Sequence, residues 1–377
     1  MIPTTALIGA LAVSVACAQK PQGPATASPQ PALQRNTLNV QTVATGLEHP
    51  WGLAILPSGR MIVTERPGRI RWVEANGTVG APLSGLPPIA ASGQGGLLDV
   101  TLDPEFTTNS TIYVSYSEPG DGGASTAVAS ARITNTALEN FKVIYRQEPK
   151  VRGGGHFGSR IVVNTDGTLL ITQGDRFSHR ERAQDLSVLI GKVVRVNRDG
   201  TIPKDNPFVG RSDARAEIWS YGHRNVQGAA LDPNGRLWTV EHGAAGGDEL
   251  NHPEAGKNYG WPVITYGRDY NGSSIGLGAV RDGMEQPVYY WDPVIAPGGL
   301  TFYTGDRFPG WKGSALIGSM NPGGLVRLVL RDGVVVSEER HLGDLGERIR
   351  DVQQGPDGLI YVTTDNSSGR VLRLSPK

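Results

Sequence analysis

Residues 52–66 read GLAILPSGRMIVTER. An apolar β-rich run, a Pro-Ser-Gly turn and a second alternating run together make a β-hairpin signal. The layout returns at 161–175 (IVVNTDGTLLITQGD), 228–242 (GAALDPNGRLWTVEH) and 352–365 (VQQGPDGLIYVTTD). Longer variants with an expanded turn occupy 97–119 (LLDVTLDPEFTTNSTIYVSYSEP) and 299–320 (GLTFYTGDRFPGWKGSALIGSM). A hairpin repeated every 45 to 70 residues or so cannot bury its faces alone, and radial stacking of neighbours buries them. The pattern predicts an all-β chain, a six-bladed β-propeller over 38–377, with TLNVQTVATGL (37–47) joining the last blade to close the ring. A two-domain β-sandwich is the alternative, disfavoured because one hairpin theme runs the full length and helical periodicity is nearly absent.

The balance of 36 Lys and Arg against 36 Asp and Glu, with no basic block, argues against a nucleic-acid partner and a polybasic membrane patch. Gly and Pro make about a fifth of the chain, which suits many short strands joined by turns. The apolar run from Ala6 to Ala18 is too short to span a bilayer and reads as a secretory signal over 1–18, although no Lys or Arg precedes it. Ala16-Cys17-Ala18 fits an A-x-A cleavage site, while Cys17 also fits the lipid acceptor of a lipoprotein; an ordinary N-terminal helix is the bland alternative. Cys17 is the single cysteine, so the mature body carries neither a disulfide nor a thiolate metal site. The Pro/Ala/Gln-rich stretch 19–37 is expected to be a disordered tether. Export, to the periplasm or to an outer-membrane anchor, is the expected localisation.

Propeller loops at one end converge on the central channel, so a site should draw residues from several blades. Five Gly-rich segments between hairpins carry polar groups: SGQGGLLD (92–99), GGGHFGSR (153–160), SYGHRNVQG (220–228), EHGAAGGDELNHPEAGKNYGWP (241–262) and GERIRDVQ (346–353). Taken alone, GGGHFGSR reads as a flexible loop that happens to hold His156, and an Arg-Asn pair reads as a solvated turn. Together they present Gln94, His156, Arg224, Asn225, Arg348 and Arg350 on glycine-opened backbone, a set suited to a flat anionic ligand. Gly/Ala carbonyls beside Asp248 and Glu249 offer hard oxygen ligands for Ca²⁺, with a capped polar loop as the alternative. Zinc is disfavoured by the scattered histidines, no G-x-G-x-x-G follows a strand and opens a helix, and no G-x-S-x-G is placed as the strand-to-helix elbow of an α/β-hydrolase.

In this order, GQGG, GGGHFGSR, YGHRNVQG, HGAAGGDELN with GKNYGWP, and RIRDV resemble the loops of the soluble pyrroloquinoline quinone (PQQ)-dependent aldose sugar dehydrogenases of the glucose/sorbosone dehydrogenase family. The resemblance covers nearly everything after residue 38. It implies oxidation of a small aldose at C1 with PQQ and Ca²⁺, and an electron acceptor that the sequence does not identify. His156 is then the general base, Asp175 holds its other ring nitrogen, and Arg224 stabilises charge developing on the quinone. Arg224 and Asn225 contact the quinone oxygens, while Gln94, Tyr270, Arg348 and Arg350 orient the cofactor. The carbonyls of Gly243 and Ala244 hold the calcium at the quinone, and Glu249 and Tyr259 match a second, structural calcium. Where the family places a lysine near the cofactor, this chain reads Ser319-Met320-Asn321; Asn321 donates a hydrogen bond without a charge, and Lys312 or Arg327 are the candidates to compensate. The alternatives are a calcium-dependent propeller lactonase or hydrolase, which has no use for Gln94, Arg348 and Arg350 together, and a non-catalytic propeller binding glycan or protein.

Overall fold

The computed structural model describes residues 25–27 and 38–377. Its strands form six antiparallel sheets of four, and the innermost strand of each touches those of its two neighbours around a closed ring. The six hairpins read from the sequence are the two inner strands of the six blades. They begin at Pro50–Ile55, Leu97–Leu102, Gly158–Val163, Val226–Leu231, Pro297–Phe302 and Ile349–Gln354. Leu38–Leu47 pairs antiparallel with Gly369–Pro376 and completes the sixth blade from the other end of the chain. The β-sandwich alternative falls with this ring.

The expected signal run, Cys17 and most of the 19–37 tether lie outside the described residues. The tether reading is corrected at Thr26–Ala27, which pairs parallel with Tyr289–Tyr290 on the outer edge of blade four, where an open sheet edge offers unpaired backbone groups. Among the described residues no helix is long and apolar enough to cross a membrane.

The alternation within the second strands does not separate core from solvent. Met61–Glu65, Leu169–Gln173, Leu237–Glu241, Ala315–Ser319 and Ile360–Thr364 are buried at every position, because each lies between two neighbouring blades. Their polar members serve the backbone instead. In all six blades the innermost strand slips register at its first residues: Pro50/Leu53, Leu97/Val100, Gly158/Ile161, Val226/Gly228, Pro297/Leu300 and Ile349/Asp351. Such a bulge leaves a backbone group unpaired and re-aims side chains. In three consecutive blades a fully buried hydroxyl fills the gap. Thr64 Oγ1 accepts the Gly52 N–H at 2.8 Å and donates to Leu98 O of the next blade. Ser115 Oγ accepts from Asp99 N at 2.8 Å and donates to Ser159 O at 2.7 Å. Thr172 Oγ1 accepts from Arg160 N and donates to Val226 O, both at 3.0 Å.

The bulges aim polar residues into the channel. Arg160 of blade three is 4% exposed, and its guanidinium reaches Asp99 of blade two at 2.8 Å and Asp351 of blade six at 3.2 Å. It also donates to Gln227 O of blade four at 3.2 Å and lies 4.4 Å from the centre of the Trp51 ring of blade one. Asp351 in turn accepts from Leu53 N of blade one at 3.0 Å. One guanidinium and two carboxylates thus pin five of the six blades across the axis.

Candidate active site

Most of the residues singled out in the sequence lie just before an innermost strand or just after a second strand, at the bulged end. His156 precedes the innermost strand of blade three and Asp175 follows its second strand. The imidazole Nδ1 is 2.6 Å from Asp175 Oδ1, and that carboxylate is fixed by the Phe177 N–H at 2.7 Å and by Trp261 Nε1 at 2.8 Å. A carboxylate on Nδ1 holds the proton there and leaves Nε2 with its lone pair. Nε2 makes no hydrogen bond among the described residues. His156 is 4% exposed and has φ +51°, a left-handed conformation that L-residues keep only when their surroundings enforce it. Its N–H donates to Gln94 Oε1 at 2.8 Å, so Gln94 anchors the loop from blade two. At Gly174 a Cβ would meet His156 O at 2.0 Å, so only glycine lets the two loops of blade three approach this closely. Burial holds the imidazole below its usual range; Asp175 opposes this, and Arg224 and Arg176 reinforce it.

Arg224 and Asn225 enter from blade four and are 5% and 1% exposed. The Arg224 guanidinium donates to His242 O at 3.1 Å, to Gly243 O, and to the Tyr270 hydroxyl at 3.1 Å, while its Nε is buried without a partner. Asn225 Oδ1 accepts from Gly158 N at 3.2 Å and from Gln227 Nε2 at 3.1 Å. Tyr270 is 62% exposed and stacks on Phe177 at 6.3 Å, and Phe177 meets the His156 ring edge-on at 5.0 Å. A cavity of about 320 Å³ opens between Asp175, Phe177, Arg224, Trp261 and Tyr270.

A second cavity, of about 110 Å³, leads down the channel between Arg66, Gln94, Asn225, His242, Arg348 and Arg350. Arg350 is 8% exposed and donates to Gln227 Oε1 at 2.9 Å and to Asp365 Oδ2 at 2.8 Å, with its Nε buried and unpartnered. Arg348 is exposed and donates to Met320 O at 3.1 Å. Desolvation pushes the half-buried His242 ring down to about 3, so it stays neutral beside these cations.

The remaining expected residues are less well gathered. Asn321 is exposed on the rim, and Met320 lines the channel cavity in its place. Neither compensating cation reaches the site. Lys312 pairs with Asp306 at 2.9 Å on the exposed turn at the far end of blade five, and Arg327 is held by Glu339 at 2.8 Å and Ser314 at 3.0 Å. Hairpin geometry carries both to the face opposite His156. Among the expected calcium ligands, Gly243 O is occupied by the Arg224 guanidinium, and the Ala244 side chain packs with Ala183, Trp261 and Ile275. Glu249 shares the Asn251 amide with Glu241, at 3.1 and 3.0 Å, and burial together with Glu241 pushes its carboxyl up to about 8. The Tyr259 hydroxyl donates to His252 O at 2.5 Å and accepts from Glu254 N at 3.0 Å, which leaves its main-chain carbonyl as the route to a cation. Among the described residues no three His, Cys, Asp or Glu side chains cluster to hold a metal.

Sequence reasoning passed over Arg66, Arg176 and Trp261. Arg66 follows the second strand of blade one and donates to Gly93 O at 2.8 Å, supplying channel charge where Asn321 brings none. Trp261 lies within the quoted GKNYGWP, and its indole N–H was the available signal.

Fold and site define a six-bladed propeller with a carboxylate-held imidazole at the mouth of an arginine-lined channel. The glucose/sorbosone dehydrogenase family model matches residues 47–373, and the chain belongs to that family. It is 46% identical over 348 residues to the aldose sugar dehydrogenase YliI of Escherichia coli strain K12, covering 90% of this chain and 94% of that protein. The crystal structure of the soluble aldose sugar dehydrogenase from Escherichia coli in its apo form superposes with a TM-score of 0.88 at 46% identity, over 90% of this chain and all of that one. The PQQ-bound form of the aldose sugar dehydrogenase from Streptomyces coelicolor gives 0.75 at 28% identity, over 90% and 98% of the two chains.

Proposed function

We propose that this protein is a PQQ-dependent oxidoreductase that oxidises aldose sugars at C1 to lactones, with His156 as general base and calcium at the cofactor. The observation that carries the reading is the His156–Asp175 dyad beside a channel in which buried Arg224 and Arg350 each keep an unpartnered N–H. An unpaired buried donor is costly, and an anionic ligand with several carboxylates would relieve that cost. The channel residues therefore fit PQQ: Arg66, Arg348 and Arg350 would hold its carboxylates, and Arg224 and Asn225 its quinone oxygens. When bound, PQQ supplies a two-electron acceptor for hydride.

The chain's own residues do the rest. Neutral Nε2 of His156 would take the proton of the C1 hydroxyl while the C1 hydride goes to the two-electron acceptor, so the cyclic hemiacetal becomes the lactone by loss of one proton and one hydride. Asp175 keeps the imidazole in the reactive tautomer and stabilises the imidazolium that forms. The Arg224 guanidinium provides fixed positive charge where negative charge develops. Calcium would take the Gly243 and Ala244 carbonyls, a donor set that needs a carboxylate from the cofactor to suit a hard cation. Its binding would release Arg224 from Gly243 O. The 1–18 run is read as an export signal, and a lipid-modified Cys17 or a Gln19 N-terminus in the mature protein's mass would distinguish the two processing routes.

Protein purified without cofactor should reduce an artificial dye with an aldose only after PQQ and Ca²⁺ are both added. Failure to bind PQQ in a spectroscopic titration would remove this reading. Calcium-dependent lactone hydrolysis without dye reduction would favour a hydrolase.

A further inference from the structure

We infer that Arg176 is a positioning residue for the proton-accepting imidazole, clamping the 153–156 turn through two of its glycine carbonyls; this rests on His156 as the base. Arg176 immediately follows Asp175 and has no exposed surface. Its guanidinium donates to Gly153 O at 2.6 Å and to Gly155 O, and it lies 3.5 Å from the centre of the Phe157 ring. The intervening carbonyl, Gly154 O, takes the Gln94 N–H at 2.7 Å, and the His156 N–H goes to Gln94 Oε1 at 2.8 Å. Three consecutive carbonyls of the turn and the His156 N–H are thus held by two residues, Gln94 from blade two and Arg176 from blade three.

Two of the glycines have a local reason, the first being that Gly153 has φ +111°, a backbone conformation that side chains rarely adopt. The turn wraps a guanidinium, and at Gly155 a Cβ would already meet the Phe177 Cβ at 3.3 Å. Arg176 and Phe177 both adopt left-handed backbone, φ +59° and +62°, which turns the arginine inward under the loop while the Phe177 N–H stays on Asp175. A planar fork holds two carbonyls in one fixed geometry, whereas the three donors of an ammonium rotate on a flexible stem.

Arg176 forms no ion pair with a carboxylate among the described residues, so its charge is compensated only through the nearby Asp175. The charged and titratable groups around His156 are Asp175, Arg176, Arg224 and His242. Arg176 and Arg224 both work against protonation of the imidazole, which keeps the base free at neutral pH. The clamp therefore fixes the position of the imidazole and helps set its proton affinity.

Arg176→Met and Arg176→Lys separate the two effects. The imidazole titration of His156 is followed by NMR in cofactor-free protein, with the resonance assigned by its loss in His156→Gln, alongside kcat, KM and PQQ affinity of the reconstituted enzyme. Arg176→Met is expected to raise the His156 titration midpoint and the acid limb of kcat/KM together, and to lower kcat roughly tenfold to a hundredfold, the scale of an ångström's misplacement. PQQ affinity should stay within about threefold, since Arg176 does not line the channel cavity. Arg176→Lys should keep the wild-type midpoint yet still lose kcat at unchanged KM. An unmoved midpoint in Arg176→Met, or wild-type kcat in Arg176→Lys, would overturn the inference; the lysine variant decides if the methionine variant does not fold. A midpoint shift in a protein whose wild type oxidises no sugar would sink the assignment of His156 as base and leave the clamp standing.

Discussion

Replacing Arg160 by methionine removes the one cation that faces two buried carboxylates across the channel, at 2.8 Å to Asp99 and 3.2 Å to Asp351. Methionine fills much of the same volume, so the loss is mainly electrostatic. Breaking a buried ion pair from one side costs about 3–5 kcal/mol, because the remaining charge is left uncompensated. An unfolding entropy of about 2.1 cal/mol/K per residue over roughly 340 residues gives about 0.7 kcal/mol/K, so 4 kcal/mol lowers Tm by about 6 °C. The loss should depend on pH with a definite sign. Burial pushes the Asp99 carboxyl up to about 6, from an ordinary value of 3.8, with Arg160 opposing and Asp351 adding to the rise. A carboxyl whose folded pKa lies above its unfolded one binds more protons when folded, so stability falls as pH rises through that window. Without Arg160 both carboxyls move further up, and the deficit should be large at pH 7.5 and much smaller at pH 5.5. Differential scanning calorimetry at the two pH values tests this, with Asp99→Asn added to Arg160→Met as the compensating control. A Tm loss below about 2 °C at pH 7.5, or one equal at both pH values, would refute the view that Arg160 holds the channel by charge.

Four further outcomes follow from the site. His156→Ala should abolish dye reduction while PQQ affinity in a fluorescence titration stays within about threefold, since only the proton acceptor is lost. Asp175→Asn should cost roughly 10²–10⁴ in kcat, the scale seen when a base loses its tautomer-setting carboxylate; it should also move the acid limb of kcat/KM to lower pH, because Asp175 raises the His156 pKa. In the wild type, activity should rise with pH along a limb centred below 6.5, because burial holds the imidazole below that ordinary value. Thr172→Val strands the Arg160 N–H and the Val226 carbonyl between blades three and four and should cost about 1–3 kcal/mol in urea unfolding.

The repeated hairpins made the ring legible, because each turn signal lies between two β-rich runs and the period leaves no other way to bury them. The bulges were not legible. Gln227, Arg160 and Asp351 carry no local mark of a register slip, and in blades one to three the gap is filled by a hydroxyl one strand away that donates to a carbonyl one blade away. The site was readable where a polar residue is framed by glycine, as at His156 and Arg224. It was opaque where the partner lies far along the chain, as with Trp261, 86 residues beyond the carboxylate it holds. Arg176 was hidden for another reason. An arginine after an aspartate in QGDRF reads as solvated charge, and only the left-handed backbone turns it inward. Lys312 and Arg327 show the opposite failure, since nearness in sequence to Asn321 takes no account of which face a hairpin turn occupies.

The pairing of Leu38–Leu47 with Gly369–Pro376 has a consequence for the order of assembly. Leu38 lies opposite Pro376, so the two strands of this seam are separated by nearly the whole length of the propeller. Until the last strand is available the growing chain has five potential blades, an unpaired first strand and an open seam. Contacts of such long sequence separation form late, because the loop they close must be ordered first. A ring built this way stays unlocked until Gly369–Pro376 has paired, and a copy lacking 369–376 should remain protease-sensitive however well its first blades have formed.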